Sequence, residues 1–271
     1  MNRLLQKQIG ELGPLLFQGL RKCFDSLLRL LSVVLRWTGL GLHRREGKER
    51  VLIIQGGSIG DFVIFSPALG EFRKAFPQAV IVLLVQSPAK DLALLNKEID
   101  QVWHVSYQSF RHSPITRLEL WWKVVSMRFD VVINCAYSTS FEQYDRLLEW
   151  SLAGRRIGLC NADRHLGPTY SDLIPTTSAV TFEGHRFEDL IHYFGDKTFL
   201  WSPSLKISDL PNSRIQELIG DIPHSRYGIL MPGAQAEYRR WPAEHFVKAA
   251  CEITKKFGLA WLIVGVRKSV V

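Results

Sequence analysis

From residue 50 onward, short apolar runs alternate with stretches whose apolar residues recur every three or four positions. VLIIQ (51–55), AVIVLLV (79–85), QVWHVS (101–106), VVINCA (131–136) and RIGLC (156–160) are rich in β-branched residues, and several are apolar throughout. Such runs predict strands covered on both faces, as in a parallel sheet. Between the first two, Phe62, Phe65, Leu69, Phe72 and Phe76 mark one face of a helix, and Pro67 inside that pattern predicts a kink or a break. Residues 86–98 and 114–128 carry further helical patterns. Alternating strand and helix predicts a doubly wound α/β domain over 50–201.

The pattern then loosens. NADRHLGPTYSDLIPTTSAVTFEG (161–184) reads as a long loop, HRFEDLIHYFGD (185–196) as a helix, and 202–226 as a linker that includes SPSLKISDLPNS. His185 and His192 share a helical face, but no third ligand stands at metal spacing, so packing or surface roles are expected. A second α/β unit begins at 227: strand YGILM (227–231), loop PGAQAEYRRWP (232–242), helix 243–257 and strand LAWLIVG (259–265). Two strands and one helix do not make a two-faced sheet, so 227–271 reads as the start of a truncated domain.

Residues 1–49 follow a different pattern. Leu16, Leu20, Phe24, Leu27, Leu31, Val34 and Leu35 recur at helical spacing, while Arg21, Lys22, Asp25, Arg29 and Arg36 interrupt every apolar stretch. That interruption argues against a spanning helix, and no secretory signal is evident. Two readings stand: a helix lying on an anionic bilayer, or one packed on its own domain or a partner. Basic charge beside a Leu/Phe/Trp face favours the bilayer.

Charge sharpens that contrast. Of the net +8 over 271 residues, residues 1–50 carry +6, with ten Lys/Arg against four Asp/Glu. The remainder is near neutral, so a surface built for nucleic acid is not expected. Cys23, Cys135, Cys160 and Cys251 are scattered, which argues against a zinc site or a disulfide framework and fits a reducing, cytoplasmic setting.

GGSIGD (56–61) follows the first predicted strand. Gly56, Gly57 and Gly60 miss the G-x-G-x-x-G spacing of a dinucleotide loop, which makes a Rossmann dehydrogenase the least favoured reading. The lysine of an NTPase phosphate loop is absent. Asp61 stands instead at the expected helix start, where amides and helix dipole stabilise a carboxylate and where it would repel a pyrophosphate. A carboxylate at the C-terminal edge of a parallel sheet can orient a hydroxyl and take its proton. The alternative is an acid serving only as helix N-cap.

VLIIQGGSIGDFVIFSPALGEFRKAFPQAVIVLLV resembles the opening of the heptosyltransferase family, glycosyltransferase family 9. YGILMPGAQAEYRRWPAEHFVKAA is similar to that family's strand, PGA loop and basic-x-Trp-Pro segment. The likeness runs from about residue 51 to the last residue. It implies a GT-B architecture of two Rossmann-like domains, and inverting transfer of heptose from an ADP-heptose donor to a lipopolysaccharide-core acceptor, without metal or other cofactor. It implies that Asp61 is the catalytic base, with Gly57, Ser58, Gly60 and Ser66 on the acceptor side. Arg239, with Arg240 and Gly233 of the same loop, is implied to bind the donor; arginine stands at 239 where the family usually has lysine. The implied partners are a nucleotide sugar and a lipid-anchored saccharide; the likeness leaves out the basic arm, whose own reading as a helix on the inner membrane suits such an acceptor. The family's nucleotide-gripping segment has no counterpart in this sequence, so weak or absent transfer is expected, the alternative being a non-catalytic acceptor-binding or scaffold fragment.

Overall fold

The computed structural model describes residues 2–38, 47–136, 144–160, 165–167, 169–176, 182–203, 227–234 and 237–265, with side chains of the first helix from Gly19 onward, Arg36 excepted. The chain divides into two compact units, Met1–Ile207 and Ser208–Val271. The first begins with helix α1 (Asn2–Trp37) and continues through β1 (Arg50–Gln55), α2 (Ile59–Phe65), α3 (Ala68–Ala75), β2 (Val80–Gln86) and α4 (Lys90–Leu94). There follow β3 (Gln101–Val105), α5 (Tyr107–His112), α6 (Pro114–Met127), β4 (Val131–Asn134), α7 (Asp145–Ser151), β5 (Arg155–Leu159), β6 (Asp172–Ile174) and α8 (Gly184–Tyr193).

All six strands pair in parallel, in the order β3-β2-β1-β4-β5-β6. The order reverses direction at β1, which creates a crevice beyond its C-terminal end. Alternate residues of the inner strands feed two cores. Val51, Ile53, Leu83 and Ile133 pack with Phe62, Phe65, Leu69 and Phe72 of α2 and α3 and Phe187 of α8. Leu52, Ile54, Leu84 and Val132 pack with Phe110, Trp121, Leu147 and Trp150 of α5, α6 and α7. The unbroken apolar runs are thus strands buried on both sides.

The helix predicted over Phe62–Phe76 is two helices, α2 and α3, divided at Ser66–Pro67. The predicted loop 161–184 contains β6, three residues paired to β5; so short a strand leaves no periodic signal. Residues 161–164, 168 and 177–181 of that loop, 204–226 of the predicted linker and the terminal 266–271 lie outside the described residues. His185 faces Glu188 at 3.1 Å and His192 faces the Phe199 carbonyl at 2.9 Å, both local contacts around α8.

The first helix differs most from its pattern. It packs on the second core, but Phe24, Leu28 and Leu35 go inward together with Asp25 and Ser32. Leu20, Leu27, Leu31 and Val34, which the spacing groups with Phe24 and Leu35 on one apolar face, are exposed; the Leu16 side chain lies outside the described residues. Specific polar contacts select the packed face. Arg117 of α6 donates to Asp25 Oδ1 through Nε at 2.9 Å and through Nη2, and to the Phe110 carbonyl at 3.0 Å. Trp121 Nε1 donates to Ser32 Oγ at 2.9 Å. Both members of the ion pair are buried, and the guanidinium also lies over the Phe110 ring.

In the second unit β7 (Tyr227–Leu230) and β8 (Ala260–Ile263) pair in parallel, joined through helix α9 (Ala243–Phe257). Gly228 is required there, because a Cβ would lie 2.4 Å from the Trp261 ring.

Two stability predictions arise. Asp25→Ala leaves a buried guanidinium unpaired and should cost about 3–5 kcal/mol, most of it recovered in Asp25→Leu/Arg117→Met, as read by denaturant unfolding. At the β2–β3 edge, Asp100 accepts from the Ile81 amide at 2.7 Å and from Arg73 at 2.6 Å. Partial burial pushes this carboxyl up, but the Ile81 amide and Arg73 outweigh it and hold it below the usual carboxylate range. A depressed acid stabilises the fold above its unfolded value and loses that contribution as pH falls through its folded value. The melting deficit of Asp100→Asn should therefore be full at neutral pH and shrink as the pH drops below about 4.

Candidate active site

The site grows from the end of β1. Gln55 is its last residue, and its side chain is buried. The Gln55 amide uses both ends: Oε1 accepts from the Gly57 amide at 3.3 Å, and Nε2 donates to the Asp61 carbonyl at 3.3 Å. One strand over, Gln86 closes β2 and donates from Nε2 to the Gly56 carbonyl. On the other side Asn134 closes β4, donating to Asp145 Oδ1 at 2.6 Å and accepting from the Ala136 amide at 3.1 Å. Three neighbouring strands thus end in carboxamides that fix the loops beyond them.

Within this frame the loop adopts a specific shape. Helix α2 starts at Ile59, and Ser58 is its N-cap. Asp61 is the third helical residue and not the cap, a correction to its expected place at the very start of the helix. The reason is the Ser-x-x-Asp spacing, in which an acid at the third position reaches back to the cap. Asp61 Oδ2 accepts from the Ser58 amide at 2.6 Å and from Ser58 Oγ at 2.9 Å. Among the described residues Oδ1 accepts no hydrogen bond, and the side chain is half-exposed. The carboxylate therefore has one oxygen anchored and one available to a hydroxyl.

The glycines make room for this arrangement. A Cβ on Gly57 would lie 2.4 Å from Asp61 Cβ and 2.7 Å from its Oδ2, and one on Gly56 would lie 2.4 Å from the Tyr144 ring. Gly57 is buried, whereas Ser58 and Gly60 are exposed. Ser66 lies at the α2–α3 junction, buried, its hydroxyl donating to the Val63 carbonyl at 2.9 Å.

A second carboxylate stands in the field of Asp61. Glu183 precedes α8 and pairs with Arg186. Burial pushes its carboxyl above the usual range, Arg186 opposes that, and Asp61 adds to it. In the sequence Glu183 falls near the end of the long predicted loop 161–184, with no motif of its own to single it out. The three carboxamides were legible as polar residues ending apolar runs, Gln55, Gln86 and Asn134, but only their pairing across the sheet reveals them as a set.

In the second unit, Gly233 lies in the loop after β7. Arg239 ends a short 3-10 turn (Glu237–Arg239), is exposed, and lies 5.5 Å over the Tyr238 ring. Arg240 turns back instead, donating from Nε to the Ala234 carbonyl at 2.9 Å. Trp241 packs edge-on against His245 and Phe246 at the start of α9. Asp61 and Arg239 belong to different units. Among the described residues no group of acidic, His and Cys side chains could hold a metal ion.

No protein-family model matches the sequence, and no curated protein is significantly similar to it. Solved structures do match. A glycosyl transferase family 9 structure from Veillonella parvula superposes with a TM-score of 0.67 at 18% identity, over 83% of this chain and 64% of that one. Over the matched residues the chain shares the fold of that structure. The E. coli ADP-heptose lps heptosyltransferase II gives 0.58 at 18% identity, over 81% and 65% of the two chains. E. coli heptosyltransferase WaaC with ADP-2-deoxy-2-fluoro heptose gives 0.57 at 16% identity, over 81% and 70%. The chain therefore spans about two thirds of the length of these structures.

Gly57→Ala should force Asp61 or the loop out of place and cost about 1–3 kcal/mol by overpacking. Thermal melting measures the loss, and a crystal structure of the variant should show the Ser58–Asp61 hydrogen bonds broken.

Proposed function

We propose that this protein is a glycosyltransferase of the heptosyltransferase type, moving a sugar from a nucleotide donor to a saccharide acceptor. The observation that carries the reading is Asp61: a half-exposed carboxylate with one oxygen held by Ser58, at the C-terminal end of β1 in this fold. A ligand site at that sheet edge is the general expectation for an open parallel sheet.

The chemistry follows from the arrangement. An acceptor hydroxyl donates to Asp61 Oδ1. As its oxygen attacks the anomeric carbon, the proton passes to the carboxylate and the bond from that carbon to the diphosphate oxygen breaks. Attack opposite the leaving group inverts the anomeric centre. Arg239 is the phosphate contact: its guanidinium is exposed and offers paired donors suited to a diphosphate. Arg240 supports the loop through the Ala234 carbonyl, and Gly233 lets it pass close to the donor. Gly57, Ser58 and Gly60 shape the acceptor side, and Ser66 does so indirectly through the α2–α3 junction. The relatives named for ADP-heptose and its fluoro analogue support ADP-heptose as the donor. The acceptor we propose is a lipid-anchored lipopolysaccharide core, met by a cytoplasmic protein at the inner-membrane surface.

The test is calorimetric titration with ADP-heptose, followed by mass detection of glycosylated acceptor. ADP-heptose should bind, and Arg239→Ala should weaken it by about tenfold or more. Asp61→Asn should lower transfer by about 10²–10⁴-fold with the melting temperature retained. Unchanged transfer in Asp61→Asn removes the base from this role, and no ADP-heptose binding removes the donor.

A further inference from the structure

Helix α1 is oriented the wrong way round for an ordinary amphipathic helix. At about 100° per residue, Asp25, Leu28, Ser32 and Leu35 share the face turned to the domain, where the Asp25–Arg117 and Ser32–Trp121 contacts hold it. The opposite face is apolar and open. Leu20 is 70%, Leu27 50%, Leu30 59% and Trp37 85% exposed, and Val34 lies among them. Burial of a mixed face with the apolar face outward leaves a stripe that the domain itself does not cover.

Helix α6 continues the theme. Arg117 and Trp121 grip α1, and the residue after each, Leu118 and Trp122, is exposed and apolar; Ile115 lies on the same side of the helix. The Trp121 and Trp122 rings are 6.1 Å apart. Cations flank the stripe: Lys22 and Arg29 lie along one margin of α1, both exposed, and on α6 exposed Lys123, over the Trp103 ring, offsets exposed Glu119 one turn before it.

We propose that the outward faces of α1 and α6 form one docking surface for an anionic lipid bilayer. The helices lie flat in the interface, with leucines and tryptophans among the acyl-chain ends and Lys22, Arg29 and Lys123 at the headgroups. This names the surface for the membrane setting put forward above. Charge decides between occupants. The first fifty residues carry +6 of the chain's +8, which attracts acidic headgroups and sets two copies of the face against each other. Among the described residues no helix is long and apolar enough to cross a membrane. The buried ion pair makes the helix part of a rigid body and fixes which side of the sheet faces the lipid.

The test is flotation of the full chain with vesicles of phosphatidylethanolamine and phosphatidylglycerol, against vesicles of phosphatidylcholine alone. It needs neither donor nor acceptor, so its outcome is independent of whether the protein transfers sugar. Binding should favour the anionic vesicles and weaken as salt is raised. Leu27→Glu/Val34→Glu should reduce it by about tenfold or more, Lys22→Glu/Arg29→Glu by several-fold, both with unchanged melting because these residues are exposed. Leu118→Glu/Trp122→Glu, which leaves α1 untouched, should also reduce binding and serves if the α1 variant misfolds. No flotation, equal flotation with phosphatidylcholine, or full binding by folded variants of both helices would overturn the proposal. So would a dimer in sedimentation equilibrium that Leu27→Glu dissolves while flotation persists, since a second copy would then be the occupant.

Discussion

A parallel sheet has to be covered on both faces, and the first unit is organised around that constraint. Its strands bury their odd and even residues in different cores, so neither side of the sheet is left to water. α2, α3 and α8 supply one cover; α5, α6 and α7 supply most of the other. The N-terminal helix is recruited to the second cover, and its sequence is a compromise between two surroundings. Inward it offers Phe24, Leu28 and Leu35, with an acid and a hydroxyl that match an arginine and an indole already fixed in α6. A buried ion pair is a poor source of net stability but a strong selector of geometry, because any other rotation of α1 strands the Arg117 charge.

Much of this architecture was legible in the chain. Unbroken β-branched runs mark β1, β2 and β4, and the aromatic spacing from Phe62 to Phe76 with Pro67 inside it marks a divided helix. What was not legible depends on distant partners. The facing of α1 could not be read from periodicity, since the residue that decides it, Arg117, lies 92 positions after Asp25. β6 is too short to carry a pattern. At the candidate site, Asp61 stood out from its local sequence, but its place as third helical residue follows from Ser58 taking the cap. Glu183 and the carboxamides Gln55, Gln86 and Asn134 gain meaning only when the sheet brings them to one edge.

The same logic explains why the loop after β1 looks like a nucleotide-binding loop without matching one. Its glycines are needed, but for contacts inside the protein: Gly57 admits the Asp61 carboxylate and Gly56 admits the Tyr144 ring. An acid folded back over the loop takes up the Ser58 amide, which a phosphate would otherwise use, and it leaves a negative charge at this sheet edge. The second unit, for its part, presents Arg239 openly while Arg240 holds its own loop.

The row of carboxamides has one more consequence. Gln55, Gln86 and Asn134 brace the strand-end loops with groups that neither gain nor lose a proton across the working range of an aqueous protein. The braces that Gln55 and Gln86 place under the loop after β1 pair only with backbone groups and are thus silent to acid and base, whereas Asn134 leans on the carboxylate of Asp145.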